Sequence, residues 1–417
     1  MKPIIVSQSD SAGGAARAAM RLHKALVTYG EDSRMMVASK VLGDWRVTGP
    51  RSLGGKLAPL WRPRLAAQIA RLQITGNPMP HSLACLSSSY ASVFDHISAD
   101  VVNLHWVCGE MMSINDIGRI SRPVVWTLHD SWAFCGAEHH PDGPDDQRYV
   151  QGYTPISRRP GQAGIDIDAW VWRRKRRAWR RPFDLVSPSR WLAACAARSA
   201  LMCGWPVRVI PNPLPTDVYT PRPKALARQA YGLPVDAPLV LFGAIGGTSR
   251  AKGWDLLEPA LAKLAHEVPG VHGVIVGQAE PVEPPRLGLP LHFLGHLSDD
   301  VAMALLYNAV DVVVLPSRLE NLPQMGTEAQ ACGVPVVGFD CSGLPDVVVH
   351  RETGYLAHPY DSADLVNGMR WVLRQGSALA ARTRYRALKL WSPEAVVPQY
   401  LDAYAAACAR QLPRSIE

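Results

Sequence analysis

The stretch PSRLENLPQMGTEAQACGVPVVGFD, residues 316–340, sets Glu320 and Glu328 eight residues apart, with Asn321, Leu322 and Pro323 directly after the first. Proline is excluded from a helix interior but suits a first turn. Glu320 is therefore expected in a loop and Glu328 inside the helix that follows. Gly333 closes that helix, and GVPVVGF reads as the next buried strand. Just upstream, VDVVVLPS is a continuous apolar strand whose carboxyl end leads to both carboxylates. In a parallel sheet that edge is where ligands bind. A carboxylate accepts two hydroxyl donors at once, which suits the vicinal diol of a ribose or hexose.

Outward from this corner, strand and helix signals alternate at short intervals. PLVLFGAI, VHGVIVG, HFLG, VDVVVLPS and VPVVGFD read as strands. Helices are expected over 254–266, 298–308, after Pro323, and over 361–374. An earlier series places strands at 4–9, 34–39, 101–106, 124–130 and 185–189, with an Ala-rich helix ending at Gly30. Each series has the pattern of a doubly wound parallel sheet covered on both faces. Five prolines in PNPLPTDVYTPRP, residues 211–223, mark the link between them. The expected division is an N-terminal Rossmann-like domain over 1–212, a C-terminal one over 213–385, and a final helical segment, 386–417, packing back on the first.

At 417 residues, with 47% hydrophobic and 19% charged residues, the chain is long enough for two globular cores. It contains no run of 18 apolar residues and no signal-peptide pattern, so a cytoplasmic protein is expected. Eight cysteines are scattered without CxxC or zinc-finger spacing and read as buried thiols of a reducing compartment. The net charge of +8 is local: WVWRRKRRAWRR, residues 170–181, holds seven basic groups and no acid. A nucleic-acid binder spreads its charge more widely, so that class is set aside. Stepping 100° per residue puts Arg173, Arg174, Arg176, Arg177, Arg180 and Arg181 on one helix face and Trp172 and Trp179 on the other. That combination suits an anionic membrane surface; the alternative is a solvated helix with its tryptophans packed on the domain.

Three turns of the first series lie at strand carboxyl ends: 10–14, 105–109 and 129–136. The first, with Gly13 and Gly14 before a helix, offers backbone N–H groups to a phosphate but lacks GxGxxG. His129 ends the strand VVWTLHD, where it is either structural or a partner for a sugar hydroxyl or a developing charge. The Pro-, Gly- and Asp-rich segment 137–165 is expected to be a lid or acceptor loop. Lys252, in GGTSRAKGW after a strand, is placed to meet a diphosphate, with Arg250 a weaker companion.

Taken together, LFGAIGGTSRAKGWDLL, FLGHLSDD, ENLPQMGTEAQACGVPVVGFDCSGLPDVV and ETGYLAHPYDSADL resemble the retaining glycosyltransferases of family 4. SDSAGGAARAA, VVWTLHDSW and LVSPSRWL extend the resemblance over nearly the whole chain. It implies a GT-B fold, two Rossmann-like domains facing a cleft. It also implies transfer of a hexose-type sugar, with retention, from a UDP- or GDP-sugar to a saccharide acceptor. By that resemblance Glu328 holds the ribose, Glu320 lies near the transferred sugar, and Lys252 binds the diphosphate. His296 and Leu297 offer backbone to the base, while His129 and Gly14 face the donor from the other domain. The family's Gly-Phe-Gly after the first glutamate is Asn321, Leu322, Pro323 here, a variant of polysaccharide-assembly members, and the family's arginine before the lysine is replaced at best by Arg250. No cofactor and no metal are expected, there being no DxD-type motif at the expected cleft. The expected acceptor is lipid-linked, at the inner face of a bacterial membrane during surface-polysaccharide assembly. A sugar-nucleotide epimerase or hydrolase of the same fold is the alternative.

Overall fold

The computed structural model describes residues 1–143, 145–243 and 250–411. The chain divides into two compact units, Met1–Pro213 with the stretch from Val396 on, and Leu214–Ala395.

In the first unit seven strands form one sheet, in the order Val47–Thr48, Arg34–Ser39, Pro3–Ser9, Val101–Leu104, Val124–Thr127, Asp184–Ser187, Val207–Val209. Every pairing in it is parallel. The strand order reverses between Pro3–Ser9 and Val101–Leu104, so the turns at 10–14 and 105–109 sit at the switch point of a doubly wound sheet. Side chains alternate between two cores: Val6, Met36, Val102 and Trp126 on one face, Ile5, Met35, Val37 and Val125 on the other. The helix Gly13–Thr28 covers the second face, and so does Pro393–Gln411 through Val397, Tyr400 and Tyr404. Tyr404 donates to Asn103 Oδ1 at 2.7 Å. The chain thus returns to the first unit inside its last helix, ten residues later than 386, because the helix Ala380–Trp391 stays with the second unit: Arg384 donates there to the carbonyls of Thr216 (2.9 Å) and Ala331 (2.8 Å).

The second unit repeats the design in six parallel strands, ordered Leu291–Phe293, His272–Val276, Leu239–Gly243, Val312–Leu315, Val336–Phe339, Gly354–Ala357. Its reversal falls between Leu239–Gly243 and Val312–Leu315. Both strands end beside the residues singled out from sequence, Lys252 and Glu320. The proline-rich stretch after Pro213 is part of this unit rather than a loose link: Tyr219 is fully buried and its hydroxyl donates to Asp300 at 2.9 Å.

Two expected segments take a more definite form. Residues 137–165 are anchored over their first part. Glu138, Arg148, Tyr149 and Tyr153 are buried, Arg148 forks onto Asp166, and Tyr153 donates to Glu138. Apolar side chains and charge pairs hold that part down, residues 154–165 are half-buried or exposed, and Pro144 lies outside the described residues. The basic segment is a helix only over Ile167–Ala178, so Arg180 and Arg181 lie beyond its end. Trp172 and Trp179 are inside the core, and Lys175 is fully buried with them. Its ammonium lies 3.8 Å from the centre of the Trp132 ring and donates to the carbonyls of Trp132, Cys135 and Gly136, the last at 2.7 Å. Burial lowers its pKa to about 8.

Candidate functional site

In the second unit the loop after Val312–Leu315 carries Glu320, and the helix Gln324–Ala331 carries Glu328. Pro323 is the N-cap residue of that helix, and Leu322 packs into the core. Gly326 brings the helix close to the strand: a Cβ there would meet Val347 at 2.9 Å and Leu315 at 3.1 Å. Glu328 is therefore buried, and the Tyr307 hydroxyl donates to its Oε2 at 2.8 Å. Burial and the charge of Glu328 hold the Tyr307 phenol well above its ordinary pKa, so it remains a donor.

Lys252, 68 residues away in sequence, donates to Glu320 Oε1 at 2.6 Å, and Ser317 Oγ donates to the same oxygen at 3.0 Å. The structure therefore brings together two residues that the sequence offered separately. The Lys252 side chain is 64% exposed and that of Glu320 18%. An ion pair this open to water is worth at most about 1 kcal/mol, so an anionic ligand can take the lysine from the glutamate.

Three features hold this pair in place, the first two of them missed in the sequence reading. The backbone of Glu320 is gripped from both sides by the turn after Val336–Phe339: its N–H donates to Ser342 Oγ at 3.0 Å, and its carbonyl accepts from Gly343 N at 2.8 Å. Ser342 adopts φ 48, in the left-handed region uncommon for a residue with a side chain. Arg318 forks onto Asp255 with two 2.7 Å bonds, tying the Glu320 loop to the start of the helix Trp254–Glu267, one turn after Lys252. Gly253 has φ +70 and lies against Pro316, whose carbonyl oxygen would be 2.0 Å from a Cβ. These partners come from distant parts of the chain, and only the Ser-Gly dipeptide at 342–343 left a local turn signal.

His296 and Leu297 lie in the loop between Leu291–Phe293 and the helix Asp300–Ala309, the histidine exposed and the leucine against the core that Tyr307 joins. Arg250 opens a short 3-10 turn through Lys252; its side chain, and the glycines at 246 and 247, lie outside what is described.

In the first unit, Gly13 begins its helix with φ +84, which glycine alone adopts freely, and Gly13 and Gly14 are exposed. The N-cap residue, Ala12, supplies no side-chain acceptor. Asp10 is turned away, receiving the N–H groups of Val41 and Leu42. His129 Nε2 lies 2.8 Å from His105 Nδ1, with the rings stacked. Two protonated rings cannot share that bond, and burial lowers the His129 pKa to about 4 and that of His105 well below 6.5. Next to them Asp130 accepts from Trp106 at 2.8 Å and bonds His139 at 2.6 Å. Burial alone would raise its carboxyl; the His139 ring more than offsets this and holds it well below the usual range. The two histidines are thus a neutral pair beside a fixed negative charge. His105, Trp106 and Asp130 fall in two of the turns picked out from sequence, but their pairing with His129 and with His139, which lies in neither turn, has no local signal.

One acid-stability prediction arises from such buried imidazoles. His23, fully buried against Ser33 Oγ at 2.9 Å, has a pKa lowered by burial to about 4. Between pH 6.5 and 4 the unfolded chain binds a proton that the folded one refuses, so stability falls as pH drops through that window. At pH 5 the loss from His23 alone is about 2 kcal/mol relative to pH 7. Urea midpoints at pH 7 and pH 5 measure it; the drop should be smaller in His23→Gln, and an unchanged drop would contradict it.

Residues 224–390 match the family of glycosyl transferases group 1. The D-inositol 3-phosphate glycosyltransferase of Segniliparus rotundus is 32% identical over 193 residues, 44% of this chain and 41% of that protein. The chain spans about half the length of the curated relatives it matches. Among solved structures, the sucrose-phosphate synthase of Thermosynechococcus elongatus superposes with TM-score 0.67 at 18% identity, covering 98% of this chain and 100% of that one. Anabaena HepE, solved in complex with UDP and glucose, gives TM-score 0.63 at 18% identity over 97% and 100%. At such identities the likeness is one of fold: two parallel-sheet α/β domains of the GT-B kind.

Proposed function

We propose that this chain, a GT-B protein whose second unit is of the group 1 glycosyl transferase family, moves a hexose-type sugar from a nucleoside-diphosphate donor to a saccharide acceptor with retention. The observation that carries the reading is the Lys252–Glu320 pair, fixed at the switch point of the second sheet with Glu328 in the helix that follows.

In this reading Glu328, oriented by Tyr307, accepts the ribose hydroxyls. The diphosphate draws the Lys252 ammonium away from Glu320, which is then released to orient the sugar hydroxyls. As the bond to the leaving diphosphate breaks, negative charge grows on its oxygen. Lys252 and the N-terminus of the helix Gln324–Ala331 stabilise that charge from fixed positions. His129, neutral and paired with His105, is the group of the first unit assigned to the reacting sugar, and Gly13 and Gly14 offer backbone N–H groups. A UDP- or GDP-sugar fits these groups, and HepE, a structural neighbour, binds UDP and glucose. The reaction is proposed to run without a metal ion, Lys252 and the helix N-terminus supplying the charge stabilisation. The acceptor is proposed to be lipid-linked, within bacterial surface-polysaccharide assembly at the inner face of the membrane; another neighbour, WaaG, is a glycosyltransferase of lipopolysaccharide biosynthesis.

The test is thermal stabilisation by UDP, GDP and their sugars, followed by incubation of the stabilising donor with saccharide acceptors and NMR of the product linkage. A donor-specific rise in Tm and a product with the donor's anomeric configuration are expected. Release of nucleotide, or a changed sugar, with no acceptor glycosylated would favour the hydrolase or epimerase instead. No response to any nucleotide would overturn the reading altogether.

A further inference from the structure

The helix Leu53–Ala70 is built inside out. Its inward side is made of small residues and proline: Gly55, Ala58, Pro59 and Ala66. Its large apolar side chains, Leu53, Leu57, Leu60, Trp61, Leu65 and Ile69, point away from the unit and are 36–79% exposed. A helix on a water-facing surface carries the opposite pattern, and an apolar stripe of this extent marks a surface that meets another phase or partner. The helix is anchored from behind, where Arg62 donates to the carbonyls of Leu86 and Ser87, the latter at 3.0 Å. Behind it lies a cavity of about 680 Å³ bordered by Ala58, Pro59, Met36, Val93 and Met111. The stripe is therefore displayed by a helix with no large apolar side chain of its own left to fill the space beneath.

Charge decides what the stripe meets. Between Asp44 and Asp95 there is no acidic residue, while Arg46, Arg51, Lys56, Arg62, Arg64 and Arg71 are all basic. Lys56 and Arg64 are exposed among the outward leucines. Cations interleaved with leucine and tryptophan on one helix face match an interfacial helix that lies in the plane of an anionic bilayer. Among the described residues no helix is long and apolar enough to cross a membrane, so a lipid contact of this unit is a surface contact. The basic helix Ile167–Ala178 can add attraction through Arg173, Arg176 and Arg177, but with Trp172 and Trp179 buried only Trp170 remains there as an exposed apolar group.

We propose that the outward face of Leu53–Ala70 docks into the headgroup and upper acyl region of an anionic lipid bilayer. The docking rests on this face alone and not on sugar transfer. The experiment is flotation of the full chain with vesicles of phosphatidylcholine, with and without phosphatidylglycerol. The protein should float with the anionic vesicles and much less with the neutral ones. The triple variant Leu57→Ser, Trp61→Ser, Leu65→Ser should bind at least tenfold less, and Lys56→Glu with Arg64→Glu should lose the preference for anionic lipid. All changed side chains are exposed, and the Tm of each variant, with and without UDP, reports folding and donor binding separately from docking. Equal flotation of the triple variant would overturn the proposal. So would a wild-type dimer in light scattering that the triple variant dissolves, with no vesicle binding by either, since the face would then meet a second copy.

Discussion

Lys252→Ala should lower kcat/KM for sugar transfer by about 100- to 1,000-fold, the loss found when one fixed group opposite a developing negative charge is removed. The paired geometry makes a sharper prediction for its partner. Glu320 occupies the ammonium that the diphosphate needs, at 2.6 Å. Glu320→Gln should therefore abolish most transfer while leaving UDP affinity unchanged or raising it by up to about fivefold, the worth of an exposed ion pair. Lys252→Ala should weaken UDP as well as slow transfer. In UDP affinity the double variant should match Lys252→Ala alone, because Glu320 touches the nucleotide only through the lysine. Isothermal titration with UDP and initial rates on all four proteins complete the cycle. If Glu320→Gln weakened UDP tenfold, the carboxylate would be a nucleotide ligand and not a competitor for the lysine.

Gly343→Ala should be the most damaging single methyl group near the site. The backbone at Gly343 has φ −88, which alanine accepts, so the cost lies wholly in contact. Its Cβ would sit 1.4 Å from the Asn321 carbonyl oxygen, with backbone behind it and no flexible side chain to yield. Either the Ser342–Gly343 turn withdraws from Glu320, or the Asn321-Leu322-Pro323 turn is pushed aside. In both cases the hydrogen bonds to the Glu320 backbone are lost. A destabilisation of about 2–4 kcal/mol is expected. Transfer should fall about 100-fold in the protein that remains folded, since a shift of roughly 1 Å at a positioned group costs that much. Urea unfolding and rates normalised to folded protein separate the two effects. Wild-type stability and rate in Gly343→Ala would show that the turn carries no such constraint.

The fold was readable because both sheets are parallel and buried. Their strands are continuous apolar runs, and the rule that ligands lie at strand carboxyl ends then picked out Lys252 and Glu320 without any knowledge of contacts. What could not be read was pairing over distance. Tyr307 on Glu328, Arg318 on Asp255, and Ser342 under Glu320 join separate strand ends, and nothing local in the sequence marks them. In the basic segment the two faces were legible, the arginines outward and Trp172 and Trp179 inward, but the place of Lys175 was not. The helical step that groups Trp172 with Trp179 also places Lys175 among them, where a charge is not expected. Three backbone carbonyls and a tryptophan ring make the buried position tolerable. The helix Leu53–Ala70 went unread because Pro59 and Pro63 lie inside it and look like breakers.

The buried Lys175 and the exposed Lys252 also make the protein its own reporter under amine-reactive labelling. Mass-spectrometric readout of the two sites would follow two separate events in one sample. Lys252 should lose reactivity as nucleotide fills the site. Lys175, sealed behind Trp132 and Trp179, should stay unmodified until the first unit opens, so its acylation would time unfolding of that unit alone.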